Sequence, residues 1–434
     1  MRKQRKLLLF IPLTILFSLI LLALVAFFGL EYYATNRVKQ EIDKNIQELS
    51  QYMRIEYDSM KVNWLAFTVN LHDVRVSKPP LPGVLTFDKV SVRDVSSIGI
   101  KWIPTMVAFD NINLTNEMTD LNVKYLYTTF TFDKIPTQQE LADDWKVFLE
   151  NIHSGEVHLK NLAFGDQNSQ VQVTTQAADY VLDKGVPRNS NLKIKALKFQ
   201  RGNLQFHLDD FLVALSLNRD NVPLHVTKKV ENFSLQIPAS LVQYPVFQQI
   251  TSLGYDRLSL NLGITYDYQP ATKDVSIAWN GSAADMGQMK VDLSLTDYTA
   301  PPLPLEGDLV RYLAFIRQMG TSPEEASLRS LKVKYQDRGL VPRLIKAEAQ
   351  SRNQSAEEFT RNLTGTINTT LLILPIPASI KEQIKAVNRF LQDPEEIQLA
   401  IQCQDPVPLA ELGQGSPMGL VELLGCSEVK ITAK

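Results

Sequence analysis

The sequence predicts an α+β, β-rich chain with a single N-terminal transmembrane helix, a long antiparallel sheet with interrupting helices, and a more helical C-terminal third. Three observations predict this class. The stretch Leu7–Leu30 carries no charge, runs between residues 54 and 298 alternate apolar with polar side chains, and helical patterns cluster after residue 307. A period of two indicates half-buried strands, whereas apolar residues three or four apart indicate an amphipathic helix.

The segment Leu7–Leu30 is long enough to cross a membrane. As a helix it would extend about 36 Å, against a hydrocarbon core of about 30 Å. The cations before it are Arg2, Lys3, Arg5 and Lys6, and the first charge after it is Glu31. Positive flanks stay in the cytoplasm, so we expect the helix in the inner (cytoplasmic) membrane and the bulk of the chain in the periplasm. A cleavable signal peptide is the alternative, although its apolar region is usually about 7–15 residues.

Patterning divides the rest of the chain. The predicted parts are a cytoplasmic basic tail (1–6), the transmembrane anchor (7–30), an amphipathic helix (31–53), a β-rich extracytoplasmic domain (54–298) and a mixed α/β C-terminal domain (308–434). Thr137 and Glu140 form a capping box, which predicts a helix over Thr137–Ile152 inside the β-rich part. A proline-rich loop at Thr299–Gly307 marks the last boundary.

Individual elements follow from the same patterns. Predicted strands of the second half include Leu192–Phe199, Leu204–Leu217, Phe233–Ile237, Leu258–Tyr268, Val275–Trp279, Met289–Leu295, Leu331–Tyr335, Ile397–Ile401 and Val429–Ile431. Four helices are predicted in this half. One contains Leu309–Met319, one begins near Leu340, one begins at the capping box of Ser355 and Glu358, and one spans Ile380–Leu391.

Composition limits the classes of protein that need be considered. The net charge of −2, with 21% charged residues, gives no reason to expect nucleic acid as a partner. Cys403 and Cys426 are the only cysteines. In an oxidising compartment they could form a disulfide, and two buried thiols are an equally good interpretation.

One hexamer recurs, in the order apolar, two polar, apolar, polar, apolar. Copies include LHDVRV (Leu71–Val76), FDKVSV (Phe87–Val92), FDNINL (Phe109–Leu114) and VENFSL (Val230–Leu235), with looser copies LKNLAF and IKALKF. This composition gives about as many matches by chance, and their irregular spacing argues against a propeller or a regular solenoid. The hexamer therefore indicates only short, half-buried strands with breaks in their alternation, as β-bulges produce.

The strands MKVNWLAFTVNLHDVRV, LTFDKVSVRDV and GEVHLKNLAF follow an anchor and an amphipathic helix. In this arrangement, the segment from about Lys39 to Phe164 resembles the N-terminal module of the AsmA-like proteins of bacterial envelopes. The resemblance implies a long, strongly twisted antiparallel sheet with an apolar concave face. It also implies a role in envelope lipid handling or outer-membrane assembly, without catalytic residues. The candidate groove-lining residues are Val69, Leu71, Val90 and Val92.

Motifs of enzymatic chemistry are absent from the sequence. None of the five histidines belongs to an H-E-x-x-H motif or a close cluster with cysteine or acids, and G-x-S-x-G and G-x-G-x-x-G do not occur. No catalytic residue, metal or cofactor is therefore predicted. The leading hypothesis is a non-enzymatic, membrane-anchored envelope protein whose apolar β-groove handles lipid or serves envelope assembly. Its expected partners are the membrane, lipid acyl chains and an unidentified envelope protein. The alternatives are a structural or adaptor membrane protein that acts through surface contacts, and an enzyme whose site is assembled from distant residues.

Overall fold

The structure is a computed structural model of the chain, and it divides into two compact units. Unit 1 comprises Met1–Asn151 and Gly155–Gln167, and unit 2 comprises Ile152–Ser154 and Asn168–Lys434. The residues that the structure describes are 35–36, 38–40, 42–44, 46–47, 50, 53–63, 68–77, 83–94, 104–115, 120–132, 151–166, 169–183, 186–303, 326–373, 378–410 and 428–434.

Unit 1 is built on an antiparallel ladder. Its strands are β1 (Arg54–Glu56), β2 (Ser59–Asn63), β3 (Thr68–Ser77), β4 (Val84–Asp94), β5 (Pro104–Thr115), β6 (Asp120–Phe132) and β7 (Ile152–Gly165), except that the first three residues of β7 are assigned to unit 2. β1 and β2 both pair with β3, and β3 pairs with β4, β4 with β5, and β5 with β6. Short connections of this kind favour antiparallel neighbours.

A row of residues with a left-handed backbone conformation, on β3 and β5, crosses this ladder. Asp73 in β3 has φ +54° and Asn111 in β5 has φ +50°. The register is the same on both sides of each, so Asp88 of β4 lies opposite both residues. The Asn111 side-chain amide donates a hydrogen bond of 2.6 Å to the Asp88 carboxylate. We call this row the crease of unit 1.

The crease gives the recurring hexamer a structural meaning. Left-handed residues at its third position are Asp73, Asn111, Asn161, Ala196 and Asn232, one in each of five copies. Leu71 and Val74, three residues apart on either side of Asp73, pack in the same apolar cluster. A strand that continued its alternation would place them on opposite faces. Asparagine and aspartate are the residues other than glycine that tolerate this conformation best, which accounts for four of the five.

We expect Asn111→Val to be less stable than Asn111→Gly by about 1–2 kcal/mol, because a β-branched side chain is strained in the left-handed region. Both variants lose the hydrogen bond to Asp88, so their difference isolates the backbone effect. Chemical denaturation of the two purified variants measures it. Equal stabilities would show that the crease does not require a left-handed residue at this position.

Unit 2 is a ten-strand antiparallel meander. Its strands are β8 (Ser169–Asp183), β9 (Val186–Arg201), β10 (Leu204–Leu217), β11 (Pro223–Gln236), β12 (Arg257–Gln269), β13 (Asp274–Ala283), β14 (Gly287–Thr296), β15 (Ser327–Asp337), β16 (Glu396–Pro408) and β17 (Glu428–Ala433). Each strand pairs with the next along the chain. β14 and β15, the strands before and after the predicted boundary loop, pair with each other. Residues 304–307 of that loop lie outside the described residues.

Four α-helices of unit 2 are described: α1 (Pro245–Ser252), α2 (Leu340–Ser351), α3 (Ala356–Ile373) and α4 (Ala378–Gln392). The capping box at Ser355 is confirmed. The Ser355 hydroxyl accepts from the Glu358 N–H at 3.1 Å, and the Glu358 carboxylate accepts from the Ser355 N–H at 3.0 Å. The predicted Leu309–Met319 helix lies outside the described residues.

The main core of unit 2 lies where β12–β16 are paired. Its buried residues include Tyr266, Val275 and Leu328, and Tyr268 meets Tyr298 edge to face at 5.9 Å. Cys403 belongs to this core, is 3% exposed and is disulfide-bonded. Cys426 is the only other cysteine of the chain and lies outside the described residues.

The predicted fold class needs a correction. The β-rich antiparallel architecture is found, but in the part of the chain that the structure describes no helix is long and apolar enough to cross a membrane. A fold class that begins with a transmembrane helix is therefore wrong. The longest described α-helix, α3, has 18 residues and carries Glu357, Glu358 and Arg361, and each charge at a membrane centre is costly. The predicted Leu7–Leu30 anchor lies outside the described residues.

The helix predicted over Thr137–Ile152 ends earlier than expected. Asn151 is helical, but Ile152 already belongs to β7, and Gly155 lies inside that strand. Ile152 and Val157 are β-branched residues that suit a strand. Residues 137–150 lie outside the described residues.

Candidate functional site

The apolar face of unit 1 is the candidate site. Its centre is buried and consists of Val74, Phe87, Ile112 and Val123. Around the centre, partly buried apolar side chains pack against it: Ile55, Tyr57, Leu71, Val76, Leu85, Val90, Phe109, Leu121, Leu126, Leu159 and Leu162. The crease keeps the residues on both sides of it on this one face. The aromatic rings of Phe87 and Phe109 lie 5.3 Å apart across β4 and β5.

The predicted groove residues form two cross-strand pairs. Val69 pairs with Val92, and Leu71 pairs with Val90, all on β3 and β4. Leu71 and Val90 pack against the centre of the apolar face and remain partly exposed. Val69 is only 1% exposed, so it belongs to the core and cannot itself contact a ligand. Val69 pairs with Val62 of β2 and Val92 of β4, and it differs from Leu71, which pairs with the same two strands and stays partly exposed.

The opposite face of the same strands is polar. The Ser91 hydroxyl donates to the Asn70 side chain at 2.7 Å, and the Lys89 ammonium lies 4.0 Å from the Asp110 carboxylate. Residues that pair across antiparallel strands point to the same side, so these contacts satisfy polar groups away from the apolar face. The sheet of unit 1 therefore carries apolar side chains on one face and polar side chains on the other, where Ser91 is itself buried at 6% exposure.

A helical segment precedes the sheet and contacts it. The described residues between 35 and 47 are helical, and the Tyr57 hydroxyl donates to the Asp43 carboxylate at 2.5 Å. Burial of Tyr57, together with this hydrogen bond and the Asp43 charge, raises the pKa of Tyr57 to about 12. Because Tyr57 also packs against the apolar face, the contact fixes the segment beside the candidate site.

The apolar face of unit 1 is less covered than the core of unit 2. Among described residues, its cluster has four buried members and eleven partly buried ones. The unit 2 cluster has ten of each. Burial of apolar surface stabilises a protein by about 25 cal/mol per Å², and surface left in contact with water does not contribute this stabilisation. A larger share of the apolar side chains is therefore only partly buried in the cluster of unit 1 than in that of unit 2.

Unit 2 has exposed apolar side chains as well. Leu262 on β12 and Met289 on β14 both pair with Gly281 of β13, and each is 37% exposed. Ile264, two residues from Leu262 and equally exposed, points to the same side. A Cβ on Gly281 would lie 2.7 Å from the Trp279 ring, so only glycine leaves room for the ring in this position. We call Leu262, Ile264 and Met289 the apolar row of unit 2.

One hydrogen-bond chain has the order of a catalytic triad. The Asp267 carboxylate lies 2.6 Å from Nδ1 of His225, and Nε2 of His225 lies 2.9 Å from the Thr227 hydroxyl. A hydrolytic triad also needs N–H donors directed at an oxyanion. All three residues belong to the continuous β10–β11–β12–β13 ladder, which uses their backbone groups. We interpret the chain as surface hydrogen bonding.

Metal chemistry finds no support in the described ranges, where no group of three or more histidine, cysteine, aspartate or glutamate residues could hold an ion.

The feature that sequence reasoning missed is the exposed apolar row of unit 2. Its signal was present, because Leu262 and Ile264 alternate with polar residues. Alternation alone does not say which half-buried strands lack cover.

Comparison with known proteins adds little to the geometry. A family model described only as an uncharacterized protein matches residues 280–434. This region begins in β13 and does not include the segment from Lys39 to Phe164 that resembles AsmA-like proteins, so that resemblance stays a prediction. No curated protein matches the chain.

Proposed function

We propose that the chain is a non-enzymatic protein of the bacterial envelope that binds lipid acyl chains on the apolar face of unit 1. The proposed location is the periplasmic side of the cytoplasmic membrane, in keeping with the charge-free segment behind four cations near the N-terminus. The AsmA-like appearance of the first strands supports a role in lipid handling or envelope assembly.

The observation that carries the proposal is the partial exposure of a contiguous apolar face. Leu71, Val90 and Phe109 lie side by side on β3, β4 and β5 and pack against the buried centre, yet they remain partly exposed. Neighbouring strands are about 4.8 Å apart, so these side chains provide an unbroken apolar path across the sheet. Contiguous apolar patches of several hundred Å² are rare on soluble surfaces unless they bind something.

Val90→Asp tests this proposal. We expect the variant to fold, because Val90 is only partly buried, and to bind several-fold less of a phospholipid that carries a fluorescent acyl chain. The reason is that a carboxylate placed in the path must be desolvated when hydrocarbon covers it. The measurement is the amount of lipid bound per purified full-length chain after incubation and re-isolation.

Thr86→Asp is the matched control. Thr86 lies on the same strand but on the polar face, and its hydroxyl contacts the Asn113 carbonyl at 3.4 Å. It adds the same charge to β4, so lipid binding should stay at the wild-type level. If Val90→Asp folds and binds as much lipid as Thr86→Asp, the apolar face of unit 1 does not hold the acyl chain.

An adaptor function is the second candidate, and the apolar row of unit 2 favours it. Three exposed apolar side chains, on β12 and β14 to either side of β13, offer a surface to a protein partner. The two functions separate experimentally, since Leu262→Glu should abolish capture of such a partner without changing lipid binding by unit 1.

A further inference from the structure

Two adjoining depressions lie on the polar face of unit 2. One has a volume of about 380 Å³ and the other about 340 Å³, and both are lined by His207, Ser234 and Arg257. All their lining residues belong to strands β8–β13 or to the turns after β13 and β15. Because they share three residues, we treat them as one continuous site.

Strand register builds the floor of this site. Two cross-strand rows of polar side chains run across it: Gln200, Gln205, Gln236 and Arg257 in one, and Lys198, His207, Ser234 and Ser259 in the other. Directly paired residues point to the same side of a sheet. The row between them is apolar, with the rings of Phe199 and Phe206 stacked at 5.0 Å. The alternation therefore directs amides, hydroxyls and cations to the polar face.

The site carries unpaired positive charge. Lys198, Arg257 and Arg338 line the two depressions, and none of them forms an ion pair with any residue that the structure describes. Nε and Nη2 of Arg257 donate to the Ser234 hydroxyl at 2.9 and 2.7 Å, which orients the guanidinium towards the site. Its remaining N–H donors make no described hydrogen bond.

The one acid among the described lining residues is already satisfied. The Asp209 carboxylate accepts a hydrogen bond from the Asn232 amide at 2.8 Å and lies 2.5 Å from Nε2 of His207. These hydrogen bonds, that of Asn232 first, hold the pKa of Asp209 below its ordinary value. Asp209 is thus committed to its neighbours and does not neutralise Arg257.

We propose that this site binds a phosphate-bearing polar ligand, with Arg257 as the central contact and Lys198 and Arg338 on either side. Guanidinium groups bind phosphate oxygens with two parallel hydrogen bonds. The glutamine and serine side chains supply the donors and acceptors that hydroxyl groups beside a phosphate would need. Such a phosphate could belong to a soluble phosphate ester or to a lipid headgroup. The site is in unit 2 and does not depend on the proposed function of unit 1.

Calorimetric titration of the full-length chain with glycerol 3-phosphate, dihexanoyl phosphatidylglycerol and glycerol tests the proposal. We expect the two phosphate compounds to bind and glycerol not to bind. Tighter binding of glycerol 3-phosphate assigns the site to soluble phosphate esters. Tighter binding of the diester assigns it to headgroups, provided that Val90→Asp binds it equally well, so that the acyl face of unit 1 is not the cause.

Arg257→Gln should weaken binding roughly 10-fold or more, because it removes a charge-assisted contact. Lys198→Gln should weaken it less. Arg219→Gln is the matched control, since Arg219 is an exposed cation in the β10–β11 turn outside both depressions. Absence of binding by wild type at about 5 mM phosphate ester, or equal losses in Arg257→Gln and Arg219→Gln, would overturn the proposal.

Discussion

Gly287→Ala should lower the free energy of unfolding of unit 2 by about 3 kcal/mol or more, because it combines backbone strain with a steric clash. Gly287 begins β14 with φ +151°, a conformation that other residues rarely adopt. An added Cβ would lie 2.6 Å from the Gln336 carbonyl oxygen and 2.8 Å from the Tyr335 hydroxyl. The backbone carbonyl cannot move without breaking the β14–β15 pairing. Denaturant unfolding with a probe in unit 2 measures the loss.

Gly202→Ala is the matched control for Gly287→Ala. Gly202 has φ +54°, and an added Cβ would meet no atom within 4 Å. Only the left-handed strain remains, which costs about 1 kcal/mol. If the two variants lose equal stability, the close approach of β15 to Gly287 is not what makes glycine necessary there.

Val69→Asp should destabilise unit 1 by about 3–5 kcal/mol, because it buries a carboxylate without a partner. Val69 is 1% exposed and pairs with Val62 on one side and Val92 on the other. Burial raises the pKa of a carboxyl, so the penalty should grow as pH rises above the ordinary aspartate pKa of about 3.9. Denaturant unfolding at pH 5 and pH 8 checks both the size and the sign.

Val84→Asp is the control on the neighbouring strand. Val84 is 45% exposed, so its replacement should change the free energy of unfolding by no more than about 0.5 kcal/mol at either pH. A Val69→Asp variant as stable as Val84→Asp would show that the β2–β3–β4 contact is not a packed core.

Several strands were predictable because their alternation is strong. The predicted strand Leu204–Leu217 has the same bounds as β10. β8 spans Ser169–Asp183, and its alternation is clear only around Val171 and Val173. The later half, TTQAADYVLD, alternates small and polar residues with few large apolar ones. This half is a strand because it pairs with β9 over its whole length. Such pairing depends on the neighbouring strand and cannot be read from the local sequence pattern.

The crease shows what sequence reasoning can and cannot reach. The breaks in alternation around Asp73 and Asn111 were visible as a hexamer, but the count of hexamers did not exceed chance. Five copies of the hexamer have a left-handed φ at their third position. The copy FDKVSV at Phe87–Val92, in β4, does not. That dihedral angle depends on the neighbouring strands, so a single sequence does not specify it.

The candidate sites were also predictable only in part. Leu71 and Val90, two of the residues predicted to line a groove, pair across β3 and β4 and therefore point to the same side of the sheet. The burial of Val69 was not predictable, because Leu71 pairs with the same two strands and stays partly exposed. The phosphate site draws on six strands, and its convergence on Arg257 appears only when their registers are known.

The central claim is that the apolar face of unit 1 holds acyl chains, and photo-crosslinking tests it most directly. Full-length protein is loaded with a phospholipid that carries a diazirine in its acyl chain, irradiated and digested, and the labelled residues are identified by mass spectrometry. We expect labels at Leu71, Val90 and Phe109, three of the partly exposed members of that face. Labels confined to the apolar row of unit 2, or spread equally over the polar face of β3–β6, would contradict it.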